Sequence, residues 1–236
     1  MITPGIEDKT MIDPFRAPIY YPAEVSRLIK ISTTRINRWL KGYSYVYDAQ
    51  YVKKPPVIKG TPDKDSYEGY ASFLDLIELL FIKQFLDYGI SLQKLRKAFD
   101  EAKKILNVPY LAHQVFFTDG NNICLKVKQK GAILELLSGG QWVIKDIIVQ
   151  LAHQIDFDRV TQEARRWYPP EGKRLVIIDP RYSFGQPIIK DKGIKTEIIY
   201  DFYLSENKNI DIICKWYNLT PEEVNAAINF QSYIAT

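Results

Sequence analysis

The chain has 236 residues, with 32 basic and 28 acidic side chains and a net charge of +4. Its 46% hydrophobic and 25% charged content is that of a globular protein and excludes a chain disordered throughout. Its richest apolar run, FLDLIELLFIKQFL, is interrupted by Asp75, Glu78 and Lys83, so no membrane span is expected.

Residues 1–19 are Pro-rich and read as an N-terminal arm. A first helix is expected from Pro22, because proline suits a first helical turn, with Val25, Leu28 and Ile29 as its apolar stripe. Lys30-Ile31-Ser32 breaks that pattern. Ser32 or Thr33 then caps a second helix that runs to Lys41, with Ile36, Trp39 and Leu40 inward and Gly42 as its stop. Residues 43–58 are rich in Tyr and Val, with Pro55-Pro56 as a stop, and read as a short hairpin or an extended wing. Apolar residues from Ser72 to Tyr88 recur at helical spacing, and Gly89 ends that helix. Ser91 opens the next helix, which continues to about Leu106.

The period then changes. Asp119-Gly120 and Gly139-Gly140 each sit between β-rich flanks and predict two hairpins, followed by a short helix near 145–154. RLVIIDP reads as a short buried strand, and Phe184-Gly185-Gln186-Pro187 as a turn before Ile188-Ile189. Three helices close the chain, near 196–204, 209–217 and 221–231. Thr220-Pro221-Glu222-Glu223 supplies the cap, the proline and the acids that favour a helix start.

The charge is unevenly spread. Residues 20–60 hold eight Lys/Arg against two acids, an excess of six, whereas residues 171–236 hold eight against nine. The N-terminal part is therefore the place to seek a polyanion. There YPAEVSRLIKISTTRINRWLKG has the form of a helix-turn-helix. Its second helix offers Thr33, Thr34, Arg35, Asn37, Arg38 and Lys41 to a major groove, where Arg reads guanine, Asn reads adenine, and Thr and Lys hold phosphate. Tyr43, Tyr45, Tyr47 and Tyr51, beside Lys53 and Lys54, suit either the flanking phosphates or a cover over the core. Tyr43, Lys53 and Lys54 join the expected DNA-binding set. The closing helices also have a helix-turn-helix pattern, but Glu222 and Glu223 suit protein contact better than DNA.

No phosphate-binding glycine loop, nucleophile elbow or ligand cluster is found, and an enzyme is not expected. The repeated LAHQ at 111–114 and 151–154 contains both histidines without further ligands, so no metal or cofactor is expected. Cys124 and Cys214 form neither a disulfide framework nor zinc spacing. With no apolar leader in MITPGIEDK, a cytoplasmic setting is expected.

Residues 175–230 resemble a prokaryotic domain-of-unknown-function family associated with antitoxins. The resemblance rests on Asp179-Pro180-Arg181, Phe184-Gly185-Gln186-Pro187, Gly193-Ile194 and Thr196, and on the closing pattern of Ile210, Ile213, Tyr217, Leu219-Thr220, Val224 and Ala227. The N-terminal half resembles a MerR-like winged helix-turn-helix through Tyr21, Glu24, Val25, Ser32, Thr34 and Arg38-Trp39-Leu40, with residues 72–99 as its following helical pair. The combined order is similar to VapB-like type II antitoxins. That resemblance implies a PIN-like ribonuclease toxin encoded nearby, neutralised by the antitoxin, and an operator that the antitoxin represses. Arg174, Arg181, Tyr182 and Phe184 are the candidate toxin contacts.

The expected fold class is α+β: a winged helix-turn-helix with a helical pair, a β-hairpin-rich middle and a small C-terminal helical domain. The expected division is an arm (1–19), a DNA-binding region (20–110), a connecting or dimerising region (111–170) and an antitoxin domain (171–236). A homodimer is expected because two-fold operators pair with two-fold proteins, with the apolar 72–88 helix as either its interface or core. The alternative is a stand-alone MerR-like regulator sensing a small molecule near Phe116, Phe117 and Trp142. A third reading exchanges the roles of the two ends.

Overall fold

The computed structural model describes residues 13–58, 69–113 and 149–235. The two hairpins predicted at Asp119-Gly120 and Gly139-Gly140, with Phe116, Phe117 and Trp142, lie outside the described residues.

Two short helices open the fold, α1 (Pro22–Ile29) and α2 (Thr33–Lys41), joined by Lys30-Ile31-Ser32. Proline starts α1, and the backbone N–H of Tyr21 donates to Glu24 Oε2 (2.9 Å), which closes the first turn. Lys30 ends it in the left-handed region. Val25, Leu28, Ile29, Ile36, Trp39 and Leu40 are all buried, so the two predicted stripes meet. Ser32 occupies the N-cap position of α2 without a side-chain cap bond.

The wing is a hairpin of β1 (Tyr43–Tyr47) and β2 (Gln50–Lys54), turned by Asp48 and Ala49, both with positive φ. That is the turn whose twist matches antiparallel strands. Gly42 joins it to α2 at φ 78°, where an added Cβ would lie 2.5 Å from the Lys54 carbonyl oxygen. A G42A variant is expected to lose about 1–2 kcal/mol from the left-handed backbone alone, read as a lowered urea midpoint.

The centre of the molecule is α3 (Phe73–Asp87), capped by Ser72, whose hydroxyl accepts from the Asp75 N–H (3.1 Å). Every residue from Phe73 to Ile82 is buried. A helix apolar all round belongs in a core, so α3 is not free to form the dimer interface offered for it from sequence. Glu78 is buried with it, accepting from the Leu111 N–H (2.6 Å) and from Lys103 Nζ (2.9 Å). Burial pushes its carboxyl up from the ordinary value, against the pull of Lys103. Ser91 caps α4 (Leu92–Leu106), which buries Leu95 and Ala98.

Beyond residue 149 the chain forms a hairpin of β3 (Ile155–Phe157) and β4 (Ala164–Trp167), with a bulge at Asp156/Phe157. A second, two-residue pair follows, β5 (Val176–Ile177) with β6 (Ile188–Ile189). Then come α5 (Thr196–Ser205), α6 (Ile210–Tyr217) and α7 (Pro221–Ala235). Thr220 and Glu223 close a reciprocal cap at the start of α7, as its sequence requires.

One apolar cluster runs from Tyr20, just after the arm, through α1–α4 to Phe230 in α7. It continues across residues 110/111 and 170/171. The arm is held to β4 by Arg16, whose guanidinium donates to both oxygens of Glu163 (2.6 and 2.7 Å) and also pairs with Asp13. The architecture is mixed α+β, a helix-turn-helix and wing followed by a helical pair, small hairpins and a helical C-terminal region. No described helix is long and apolar enough to cross a membrane.

Candidate nucleic-acid interface

The second helix of the pair turns its charged side outward because Ile36, Trp39 and Leu40 anchor the other side. Thr33, Thr34, Arg35, Arg38 and Lys41 are exposed. Arg38 stacks over the Tyr43 ring at 5.2 Å, and Tyr43 stacks on Tyr45 at 6.0 Å. The guanidinium is thereby aimed along the wing base rather than left to sweep through solvent.

Arg35, Arg38 and Tyr43 line an open groove of about 690 Å³ with Trp39, Lys53, Lys54 and Pro55. Its far wall is the first turns of α4, through Leu92, Gln93, Arg96 and Lys97. Arg96 reaches across and donates to the Pro55 carbonyl (3.0 Å), tying α4 to the end of the wing. Among the described residues, the lining contains six cationic side chains and no carboxylate. Such a concentration of one sign draws in polyanions and penalises acidic surfaces.

The structure thus gathers five of the nine sequence-predicted contacts, Arg35, Arg38, Tyr43, Lys53 and Lys54, into one groove. Asn37 is half-buried, and its amide donates back to the Thr33 carbonyl (3.0 Å), so its donor is engaged by its own helix. Lys41 lies against Gly69. The tyrosines do not share a face: register places Tyr51 opposite Val46 and Lys54 opposite Tyr43. Tyr43, Tyr45 and Tyr47 therefore project to one side and Tyr51 to the other, because neighbours across a ladder share a side. Sequence reasoning missed Arg96 and Lys97. The signal was there in α4, whose stripe of Leu92, Leu95 and Phe99 leaves 93, 96 and 97 outside.

The candidate toxin contacts are not among the residues that line this groove. Arg181 is committed within the chain: its Nε donates to Asp179 Oδ1 (2.9 Å) and its NH2 to Oδ2 (2.5 Å). Those bonds raise its guanidinium above the ordinary value. Arg174 stacks over Tyr168 at 4.0 Å and donates to the His153 carbonyl. Tyr182 and Phe184 are exposed, Phe184 at 83%.

Fold and groove together have the form of a helix-turn-helix with a cationic cleft beside its second helix. Residues 18–99 match the family model described as "Putative DNA-binding HTH domain", and residues 176–230 match "Protein of unknown function (DUF433)". The chain is similar to "Putative antitoxin VapB45" of Mycobacterium tuberculosis, 24% identical over 226 residues, which span 91% of this chain and 94% of that protein. It is also similar to the HTH-type transcriptional regulator Rv1830 of the same organism, 34% identical over 90 residues, 37% of this chain and 38% of that one. Among solved structures, Rv2018 from Mycobacterium tuberculosis has the same fold, with a TM-score of 0.72 at 22% identity over 91% of this chain and 99% of that one. The VapB-like resemblance drawn from the sequence is borne out by these likenesses along nearly the whole chain. The MerR-like attribution rests on the sequence pattern alone.

Proposed function

We propose that this protein is an antitoxin and autorepressor. Its helix-turn-helix groove binds operator DNA, and its C-terminal surface captures a PIN-like ribonuclease encoded nearby. The observation that carries the DNA half is the groove itself, with six cations and no carboxylate among the described residues that line it between α2, the wing and α4. The likeness to a VapB-named relative over 91% of the chain supports the toxin half. Arg174, Arg181, Tyr182 and Phe184 are the proposed toxin-facing residues, with Tyr182 and Phe184 the more available because both arginines are engaged within the chain. The active assembly on DNA is a homodimer, matching a two-fold operator.

The test uses the intact chain, since the core crosses every proposed boundary. Tagged full-length protein is co-expressed with the adjacent reading frame. A co-purifying ribonuclease, inactive in the complex and active once separated from it, is the expected result. The absence of any such partner would overturn the antitoxin reading and leave a DNA-binding regulator.

A further inference from the structure

Three arginines gather on the β3–β4 hairpin, away from the groove beside α2. Strict alternation along β4 would send Arg165 and Arg166 to opposite faces. The bulge prevents that: Asp156 opposes Arg166 and Phe157 opposes Ala164, so Arg165 is the extra, unpaired residue. An extra residue in one strand bends it and re-aims a side chain. Arg165 and Arg166 consequently line one open groove of about 470 Å³, together with Arg159, Ile155, Asp156 and Phe157.

Arg166 is fixed in place: its Nε donates to the buried carboxylate of Asp179 (3.2 Å) and its NH1 to the Tyr168 hydroxyl (3.4 Å). Arg159 is exposed on the turn, which Asp158 closes by accepting from the Val160 and Thr161 N–H groups (2.9 and 3.0 Å). Among the described residues, neither Arg159 nor Arg165 makes a side-chain hydrogen bond, and Arg165 stands 3.8 Å from Asp158. Asp156 is the one carboxylate of the described lining. It accepts from the Tyr168 hydroxyl (2.8 Å), and its other oxygen lies 4.0 Å from Arg174, outside the groove. The lining therefore keeps an excess of positive charge. Converging planar guanidinium forks, one of them pre-set by a buried carboxylate, match the several acceptor oxygens of a phosphate.

The hairpin is also tied to the DNA-binding unit. The Ala164 N–H donates to the Ala112 carbonyl (2.7 Å), just beyond α4, and Glu163 faces His113 across a bridge. The first turns of α4 wall the groove beside α2, and its 15 residues extend about 22 Å from there. Duplex DNA carries a charge about every 1.7 Å of its axis, so backbone leaving the first groove presents phosphates over that range. We propose that the bulged β3–β4 hairpin is a second phosphate-binding site, where Arg159, Arg165 and Arg166 hold the backbone of duplex DNA flanking the segment read by α2. This rests on the DNA-binding half of the proposed function and extends the contact beyond the helix-turn-helix.

The test is binding of the full chain, across a salt series, to a duplex of about four helical turns from the region upstream of its own reading frame. An R159A/R165A variant is expected to shallow the log–log salt slope by about two contacts, about 0.9 each. Its sequence preference should stay that of the wild type, because phosphate contacts carry no base information. R159K/R165K keeps both charges and is expected to restore most of the slope. On a duplex shortened to about two turns, the span of paired half-sites, the alanine variant should bind as the wild type does. A wild-type slope for R159A/R165A on the long duplex overturns the second site and leaves α2 as the DNA contact. A wild-type slope with reduced capture of the adjacent reading frame's product also overturns it, and gives the arginines to an acidic protein surface. An equal change on both duplexes overturns the flanking placement. A lysine variant as impaired as the alanine one overturns the role of charge. No binding of either duplex by the wild-type chain overturns the DNA half of the proposed function, and the second site with it.

Discussion

An R35A/R38A variant is expected to lose about two orders of magnitude or more in affinity for operator DNA, since an arginine on a base edge contributes about 1–3 kcal/mol. Both side chains are exposed and line the groove beside its other described cations, and Arg38 is pre-aimed by its stack on Tyr43. Neither supports the core, which α2 enters through Ile36, Trp39 and Leu40. The folding stability should therefore stay within the range of ordinary surface substitutions, about ±0.5 kcal/mol each. Binding measured across a salt series separates the two roles an arginine can take. Loss of a phosphate contact shallows the log–log slope by about 0.9 per contact. Loss of a base contact lowers affinity at every salt and relaxes the sequence preference. Adding K97A should shallow the slope by about one further contact, because Lys97 faces the groove from α4. Unchanged affinity in the double variant would remove α2 from the interface.

How much of this was legible in the sequence follows from the range of each signal. The ends of α2, α3, α4 and α7 are marked locally, by Gly42, by the capping serines Ser72 and Ser91, and by Thr220-Pro221. A cap reads the same whatever packs above it. The buried strand in RLVIIDP was visible for a similar reason, as a short apolar run between turn signals. Burial of α3 on all sides was harder to foresee. An apolar helix serves equally as core or as interface, and only the elements around it decide. The β3–β4 hairpin has strands of three and four residues with a bulge, too short for alternation to emerge. The engagement of Arg181 was missed although Asp179 lies two residues away. A DPR sequence shows the pair but not the burial that makes it binding. Tyr20 on Gly185 is beyond any local pattern, because nothing in either segment names its partner 165 residues distant.

Asp179 is the position where one substitution should cost the fold most. It is wholly buried, and its carboxylate accepts from Arg166 Nε (3.2 Å) and from the Arg181 backbone N–H (3.1 Å), Nε (2.9 Å) and NH2 (2.5 Å). Arg166 also donates to the Tyr168 hydroxyl (3.4 Å), which in turn donates to Asp156 (2.8 Å), so β4 and the Asp179–Arg181 turn that follows β5 are joined at this one carboxylate. D179A removes the acceptor and leaves two guanidinium groups facing each other at the edge of the core. Breaking a buried pair from one side costs about 3–5 kcal/mol. The lower end applies because Arg166 and Arg181 keep partial access to water, with side chains 19% and 31% exposed. In a chain of this size that is a fall of roughly 6–12 °C in melting temperature. D179N keeps the shape but sets an amide N–H against arginine donors, so it should recover only part of the loss. Replacing Arg166 by Met in the D179A background should recover more, since it withdraws one of the two stranded charges. If D179A melted with the wild type, the carboxylate would be a bystander and the DPR segment would owe its form to the packing of β5 and β6 alone.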